Sequence, residues 1–388
     1  MKLTLRQQLT QFTQVLQSEL FPILEEASGK LDDKARQLVA ALEMIPLARF
    51  MPASRGWIGR PCKDRLAIAS ALVAKAVYGF RHTRQLLERL HRDEQFRRLC
   101  GWPSERQLPH ESTFSRAFAG FAEMELPQFA HEALIAATQK DRLIGHIARD
   151  STAIEARERL AEPTPKQQAR ARRSKGRPKG KRGPHKRHPG GKPPSPRNLD
   201  TRLHRQRSMK LPQMLADLPC QCSIGVKTSN DGNQQYWRGY KLHLDVADGQ
   251  IPITALLTSA SLHDSQVAIP LATITAGRVT NLYDVMDTAY CATEILEHSR
   301  ELRHVPIVRW PKRRSKAPFG EERYEAKEFT WAEEDRFRER TIVERVNARL
   351  KDEFGAGHIR VRGGKKIMAH LMFGVLALTA DQILKLAQ

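Results

Sequence analysis

The sequence predicts a mixed α/β fold, a sheet with helices on its faces, preceded by an all-helical N-terminal region. Three observations carry this expectation. Apolar residues recur at helical spacing through 63–80 and 83–99. Beyond residue 140, β-prone runs bounded by turn residues alternate with helical stretches. A long two-faced segment, FRERTIVERVNARLK over 337–351, follows the last of these runs.

The N-terminal region is taken as residues 1–140. The run KDRLAIASALVAKAVYGF is apolar and periodic, and the next helix stops at Cys100-Gly101 with Pro103 beyond. Ser112 suits a helix cap ahead of Phe114, Phe118 and Phe121. Arg81, Arg84, Arg89, Arg97, Arg98 and Arg116 decorate this bundle, which could dock on DNA through short basic helices.

Residues 141–154 (DRLIGHIARDSTAI) read as a strand that carries Asp150. Residues 163–213 read as a basic, disordered insert between the strand region 141–162 and the remainder, 214–388. Twelve Lys and Arg lie between Lys166 and Lys192, and no acid occurs from Pro163 to Leu199, so the segment has too little apolar surface to fold alone. Lys175, Arg177, Lys179, Lys181 and Arg182 are its candidate phosphate contacts, of salt-sensitive and largely sequence-blind affinity. Strands follow at 222–228, 236–246 and 251–259, antiparallel with the Asp150 strand. A helix opens at His263-Asp264-Ser265 with Asp264 as its cap, a buried strand covers 281–288 up to Asp287, and a further strand covers 304–310. The segment 359–386 is a last apolar helix suited to packing over the sheet.

At about 100° per residue, Arg340, Glu344, Asn347 and Lys351 share one arc of the 337–351 helix, while Ile342, Val343, Val346 and Leu350 share another. One face packs, and the other presents a carboxylate between two cations. The order of elements is an RNase H-like layout, in which Asp150 and Asp287 end up on neighbouring strands and Glu344 on a crossing helix. Three converging carboxylates would repel one another unless cations neutralise them. Two Mg²⁺ ions, with Mn²⁺ able to substitute, suit such all-oxygen ligands and serve phosphoryl transfer. Asp284 is the rival to Asp287, which is preferred for its place at the strand exit.

The 388 residues carry a formal net charge of +22, which points to a polyanion, most simply nucleic acid, with an anionic membrane surface as the other option. No run of 18 apolar residues occurs, so no membrane-spanning helix is expected, and the N-terminus lacks the apolar stretch of a secretory signal. Five scattered cysteines without a CxxC pair indicate reduced thiols and a cytoplasmic protein.

These residues resemble bacterial insertion-sequence transposases of the DDE class. The family's Y-x2-R-x3-E-x6-K signature is matched by Phe337, Arg340, Glu344 and Lys351, with Phe for Tyr. Asp150-Ser-Thr, Gly239-Tyr-Lys-Leu-His, Ser261-Leu-His-Asp and Asp287-Thr-Ala-Tyr match further family motifs in order. The block from Gly59-Arg-Pro to Glu111-Ser-Thr-Phe-Ser-Arg resembles the helical domain common in these elements. The resemblance implies an enzyme that binds the terminal inverted repeats of its own element, cleaves strands there and joins them to a target. Asp150, Asp287 and Glu344 would be catalytic metal ligands, and Arg340 and Lys351 would contact DNA. The partners implied are double-stranded DNA and a second copy of the chain in the synaptic complex, with no membrane, at the nucleoid. Trp310 is a candidate to accommodate a flipped base. The alternative is a DNA-binding protein derived from such a transposase whose centre is unused.

Overall fold

The computed structural model describes residues 4–51, 64–160, 201–228, 233–310 and 329–386. The N-terminal region is helical: α1 (Leu5–Val15), α2 (Phe21–Ser28), α3 (Asp33–Met44), α4 (Arg65–Val77), α5 (Thr83–Arg92), α6 (Glu94–Leu99), α7 (Glu111–Glu123) and α8 (Leu126–Thr138). α4 is nearly all alanine, leucine, valine and isoleucine and is buried along most of its length, so it forms the centre of the bundle. Of the arginines read as a DNA face, Arg97 turns inward and donates to the carbonyls of Leu90 and His91 at 3.0 and 3.2 Å. Arg84, Arg89 and Arg98 pair with acids one turn away.

Among the described residues the sheet has six strands: β1 (Leu143–Glu155), β2 (Ser223–Thr228), β3 (Gln234–Ala247), β4 (Ile251–Ser259), β5 (Thr280–Met286) and β6 (Val305–Val308). β3 is antiparallel to β1, β2 and β4; its first half pairs with β2 and its second half with β4. β5 is parallel to β1, and β6 to β5. The path β4-β3-β1-β5-β6, with three antiparallel strands followed by two parallel ones, is the mixed helix-flanked sheet expected from the sequence. Gly239 lets β3 cross close to β1: its φ is +151°, and a side chain there would collide with the Ile154 carbonyl.

Between strands lie α9 (Arg202–Gln206), α10 (Leu211–Asp217), α11 (Ala268–Arg278) and α12 (Thr293–Glu301). α9 and the first turn of α10 fall in the segment assigned to the basic insert, so helical structure is present from residue 202 rather than only beyond 214. The local composition is basic, but its charges are met from elsewhere. Arg202 bonds Asp217 at 2.6 Å, and Arg207 pairs with Glu297 and Glu301 of α12. Buried Gln206 and Met214 anchor the pair of helices. Lys175, Arg177, Lys179, Lys181 and Arg182 lie outside the described residues, as does Cys62; Cys100, Cys220, Cys222 and Cys291 form no disulfide among the described residues.

Residues 337–351 are not one helix. α13 (Trp331–Arg338) ends in a tight turn, and α14 (Thr341–Asp352) starts anew with Arg340 at its N-cap. The N–H groups of Glu339, Arg340 and Ile342 bond three residues back, and the Thr341 hydroxyl donates to the Arg338 carbonyl at 3.1 Å. A threonine that bonds the preceding turn competes with the helical ladder, which the apolar period does not reveal.

The closing helix, α15 (Gly364–Lys385), is long and apolar enough to cross a membrane, but 83% of its apolar window is buried inside the protein. It packs on β4 as expected, and also on α3, α4, α7 and α8. One apolar cluster therefore runs from Leu38, Ile68 and Phe121 through α15 to Leu244 and Val343. Gly374 permits its closest approach, because a Cβ there would lie 2.7 Å from the Phe354 carbonyl.

The sheet interior holds an ion pair. Arg149, 1% exposed, grips Asp245 of β3 with two bonds of 2.7 and 2.8 Å, and Thr275 of α11 donates to the same carboxylate at 2.6 Å. Leaving either charge alone in the interior is costly, whereas removing both is not. Asp245→Ala should lower unfolding stability by about 3–5 kcal/mol. The double variant Arg149→Met, Asp245→Leu should lose far less; urea unfolding of the two checks this.

Candidate active site

β alternation sends Arg149 to one face of β1 and Asp150 to the other. Asp150 stands opposite Leu244 of β3. On the other side Arg149 pairs with Met286 of β5, so the parallel register sets Asp287, the next residue, at the level of Asp150. Adjacent strands lie about 4.8 Å apart, and residues at one level of a parallel pair point the same way. Asp287 keeps an extended backbone and accepts the Thr288 N–H at 2.7 Å, which starts the short turn Thr288–Tyr290.

The rival Asp284 is committed elsewhere. It is 1% exposed and accepts from Ser299 at 2.6 Å, from Asn281 at 3.2 Å, and faces His304 Nδ1 at 3.2 Å. Burial pushes its carboxyl up, but His304, Arg149 and Ser299 outweigh this and hold it below the usual range.

α14 packs over β1 and β3 with Ile342, Val343, Val346 and Leu350 buried, as its apolar period dictates. Its polar face lies near Asp150. Burial pushes the Asp150 carboxyl up to about 6; the charges of Asp264 and Glu344 add to this, and the Ser151 N–H and the Arg340 guanidinium oppose it. Glu344 has a half-exposed side chain and is held by Arg340 at 2.9 Å. Lys351, half-buried, lies further along near Lys227 and Glu155, and burial followed by Lys227 pulls its ammonium down. Asn347, on the same arc, is buried with its Oδ1 unpartnered.

The next layer of the site rests on contacts between residues distant in the chain. Asp264 does not cap α11; the N-cap of the preceding turn is His263, whose Nδ1 accepts from Ser265. Asp264 instead takes the Lys241 ammonium at 2.8 Å, and Lys241 also bonds the Leu262 carbonyl at 2.9 Å. Burial raises the Asp264 carboxyl, but Lys241, His243 and the Ser151 hydroxyl hold it below its ordinary range. Tyr290 is buried with its hydroxyl unpartnered; burial, then Asp264 and Asp150, push that hydroxyl well up. Lys241 and Asp264 sit in two of the family motifs, but nothing in either motif says that they pair.

The Phe337 ring, at the family's tyrosine position, packs at a tilt of 49° against Phe329, 5.3 Å between centroids, and lies under the Arg309 and Arg340 guanidiniums at 4.8 and 5.9 Å. It holds Arg340 by its face without needing a hydroxyl. Trp310, partly buried, packs against the cluster of Met214, Ile269 and Tyr290.

The donor set is hard oxygen, flanked by cations, which suits a divalent ion such as Mg²⁺. Among the described residues no three acidic, histidine or cysteine side chains have closed to metal-binding distance, and Glu344 is occupied with Arg340. Two carboxylates at one level of neighbouring strands, with an acid on the helix packed over them, are an arrangement that metal-assisted phosphoryl transfer can use.

Comparison with known proteins narrows this. A transposase DDE domain model matches residues 202–380, and a second transposase domain model matches residues 25–119. The chain belongs to the insertion-sequence transposases of the DDE class. No curated protein and no solved structure matches it significantly.

Asp150 generates a pH test. Its folded pKa of about 6 lies above the ordinary 3.8, so the native state holds the proton more tightly. The stability this contributes is complete below about pH 4 and is lost as pH rises through about 6. In thermal melts without divalent ions, wild type should lose roughly 1–2 kcal/mol relative to Asp150→Asn between about pH 4.5 and 7. Parallel curves would remove Asp150 from this acidic environment.

Proposed function

We propose that the protein binds the terminal inverted repeats of its element as a dimer, cleaves DNA strands there and transfers the 3′ ends to target DNA. The observation that carries this is the common level of Asp150 and Asp287 on parallel neighbours, beneath the helix that bears Glu344. In the first step a water oxygen bonds to the phosphorus at the element's end and the 3′ oxygen leaves. In the second, that 3′ oxygen bonds to a target phosphorus and the target's own 3′ oxygen leaves, so the number of phosphodiester bonds is conserved.

Asp150, Asp287 and Glu344 would hold two Mg²⁺ ions, or Mn²⁺ in their place. When bound, the ions lower the pKa of the attacking hydroxyl and offset charge on the leaving oxygen. The remaining work falls to the chain. Arg340 exchanges Glu344 for a phosphate oxygen, still stacked on Phe337, and Lys351 holds a second phosphate further along α14. The Lys241–Asp264 pair fixes the floor beside Ser151, so that Asp150 keeps one orientation. Lys175, Arg177, Lys179, Lys181 and Arg182 add salt-sensitive affinity for the backbone. These roles place the protein in the cytoplasm, at the nucleoid.

The test uses duplexes that carry the DNA bordering the coding region. Wild type should nick them with Mg²⁺ and join the ends to a plasmid. Asp150→Ala, Asp287→Ala and Glu344→Ala should each lose more than about 100-fold in cleavage, the upper range produced by removing even an outer partner of a metal ligand. Their binding to the same duplex should stay within about threefold. Wild-type binding without any cleavage would favour the unused centre instead. Unchanged cleavage in all three variants would sink the assignment.

A further inference from the structure

A cavity of about 300 Å³ lies at the seam between the N-terminal bundle and the segment that joins α14 to α15. It is away from Asp150, and no role above uses it. Its wall is aromatic, with Phe80, Phe114, Phe118, Phe354 and Phe373. Lys75 of α4 also lines it, only 9% exposed, and has no hydrogen-bond or ion-pair partner among the described residues. A buried, unpaired ammonium is costly, and it persists most cheaply where a ligand completes it. Burial alone pulls it down to about 8.

The mouth is cationic. Arg81, His82, Arg84 and Arg360 are exposed around it, and among the described residues Glu111 is the one acid on the lining. The positive field registers on neighbouring histidines. His358 is drawn down by burial, then by Arg81, Arg360 and His82. His370 is drawn down to about 3 by burial and then by Lys75. An aromatic pocket with one deep donor and a guanidinium rim matches a flat heteroaromatic group that carries a phosphate. A base stacks on the rings and offers an acceptor edge to the ammonium, while its phosphate meets the arginines. The volume is at the small end for ligand sites and suits a single nucleotide.

We propose that the seam cavity takes one unpaired nucleotide of bound DNA, with its base among the phenylalanines against Lys75 and its phosphate on Arg81, Arg84 and Arg360. The site rests on the DNA-binding reading above and uses residues other than Trp310. It joins α4 and α5 of the bundle to the segment that leads from the catalytic helix α14. An extruded nucleotide would therefore hold both parts of the chain to one point on the DNA.

The test is anisotropy titration of the full chain, at about physiological ionic strength, with two labelled duplexes of one sequence. One is fully paired and the other has a single-nucleotide bulge. Wild type should prefer the bulged duplex by about tenfold, the scale of one base stacked on aromatic side chains. Lys75→Met, which removes the unpaired charge and should not lower the melting temperature, should cut that preference to within about twofold. Ser115→Trp, at an exposed position on the lining, should do the same by filling the mouth. Paired-duplex affinity should stay within about twofold of wild type in both variants. Equal wild-type affinity for the two duplexes, or a preference that survives both substitutions, would overturn the proposal. Loss of all DNA binding by wild type would instead strike the underlying function. Free dAMP should compete only weakly; if dAMP binds tightly while the bulge gives no preference, the occupant is a free nucleotide and the DNA assignment fails.

Discussion

The bidentate grip of Arg149 on Asp245 fixes the rest of the active-site region. It locks β1 to β3 in one register, and a slip of one residue would turn every β1 side chain to the opposite face. Asp150 is the residue after Arg149, so the same bond that buries the arginine among Thr275 and Met286 points the aspartate toward α14. On the other flank Asp284 is held by Ser299 and His304, which seats β5 and brings Asp287 to the level of Asp150. Three charged residues buried on one side of the sheet, Arg149, Asp245 and Asp284, thus position two acids on the other.

A second constraint is α15. A buried helix of this length needs apolar partners all round, and it finds them in both the sheet and the N-terminal bundle. The bundle and the catalytic sheet are therefore halves of one packed body, and the aromatic cavity with Lys75 lies where they meet. DNA held by the bundle would be presented to the sheet at a fixed distance.

Much of this was legible in the residues. Apolar runs marked the strands, their order implied the sheet, and the spacing of Arg340, Glu344 and Lys351 marked the polar arc of the crossing helix. What stayed hidden depends on partners distant in the chain. Arg149 and Asp245 are 96 positions apart, and neither sequence neighbourhood names the other. Local composition made residues 201–213 look unfoldable, because the acids that neutralise Arg207 lie on α12. The break at residues 339–340 follows from a threonine hydroxyl that bonds the preceding turn, which an apolar period does not register. The role of Asp264 was misread because capping is a local motif and its bond to Lys241 is not.

The proposed function stands or falls on whether Asp150, Asp287 and Glu344 act as one carboxylate centre for a pair of ions. Electron paramagnetic resonance of Mn²⁺ added to the protein on duplex DNA addresses it most directly. Two spin-coupled ions about 4 Å apart are expected, with the coupling abolished when any one of the three acids is replaced by alanine. A spectrum of isolated Mn²⁺ that is indifferent to all three substitutions would contradict it.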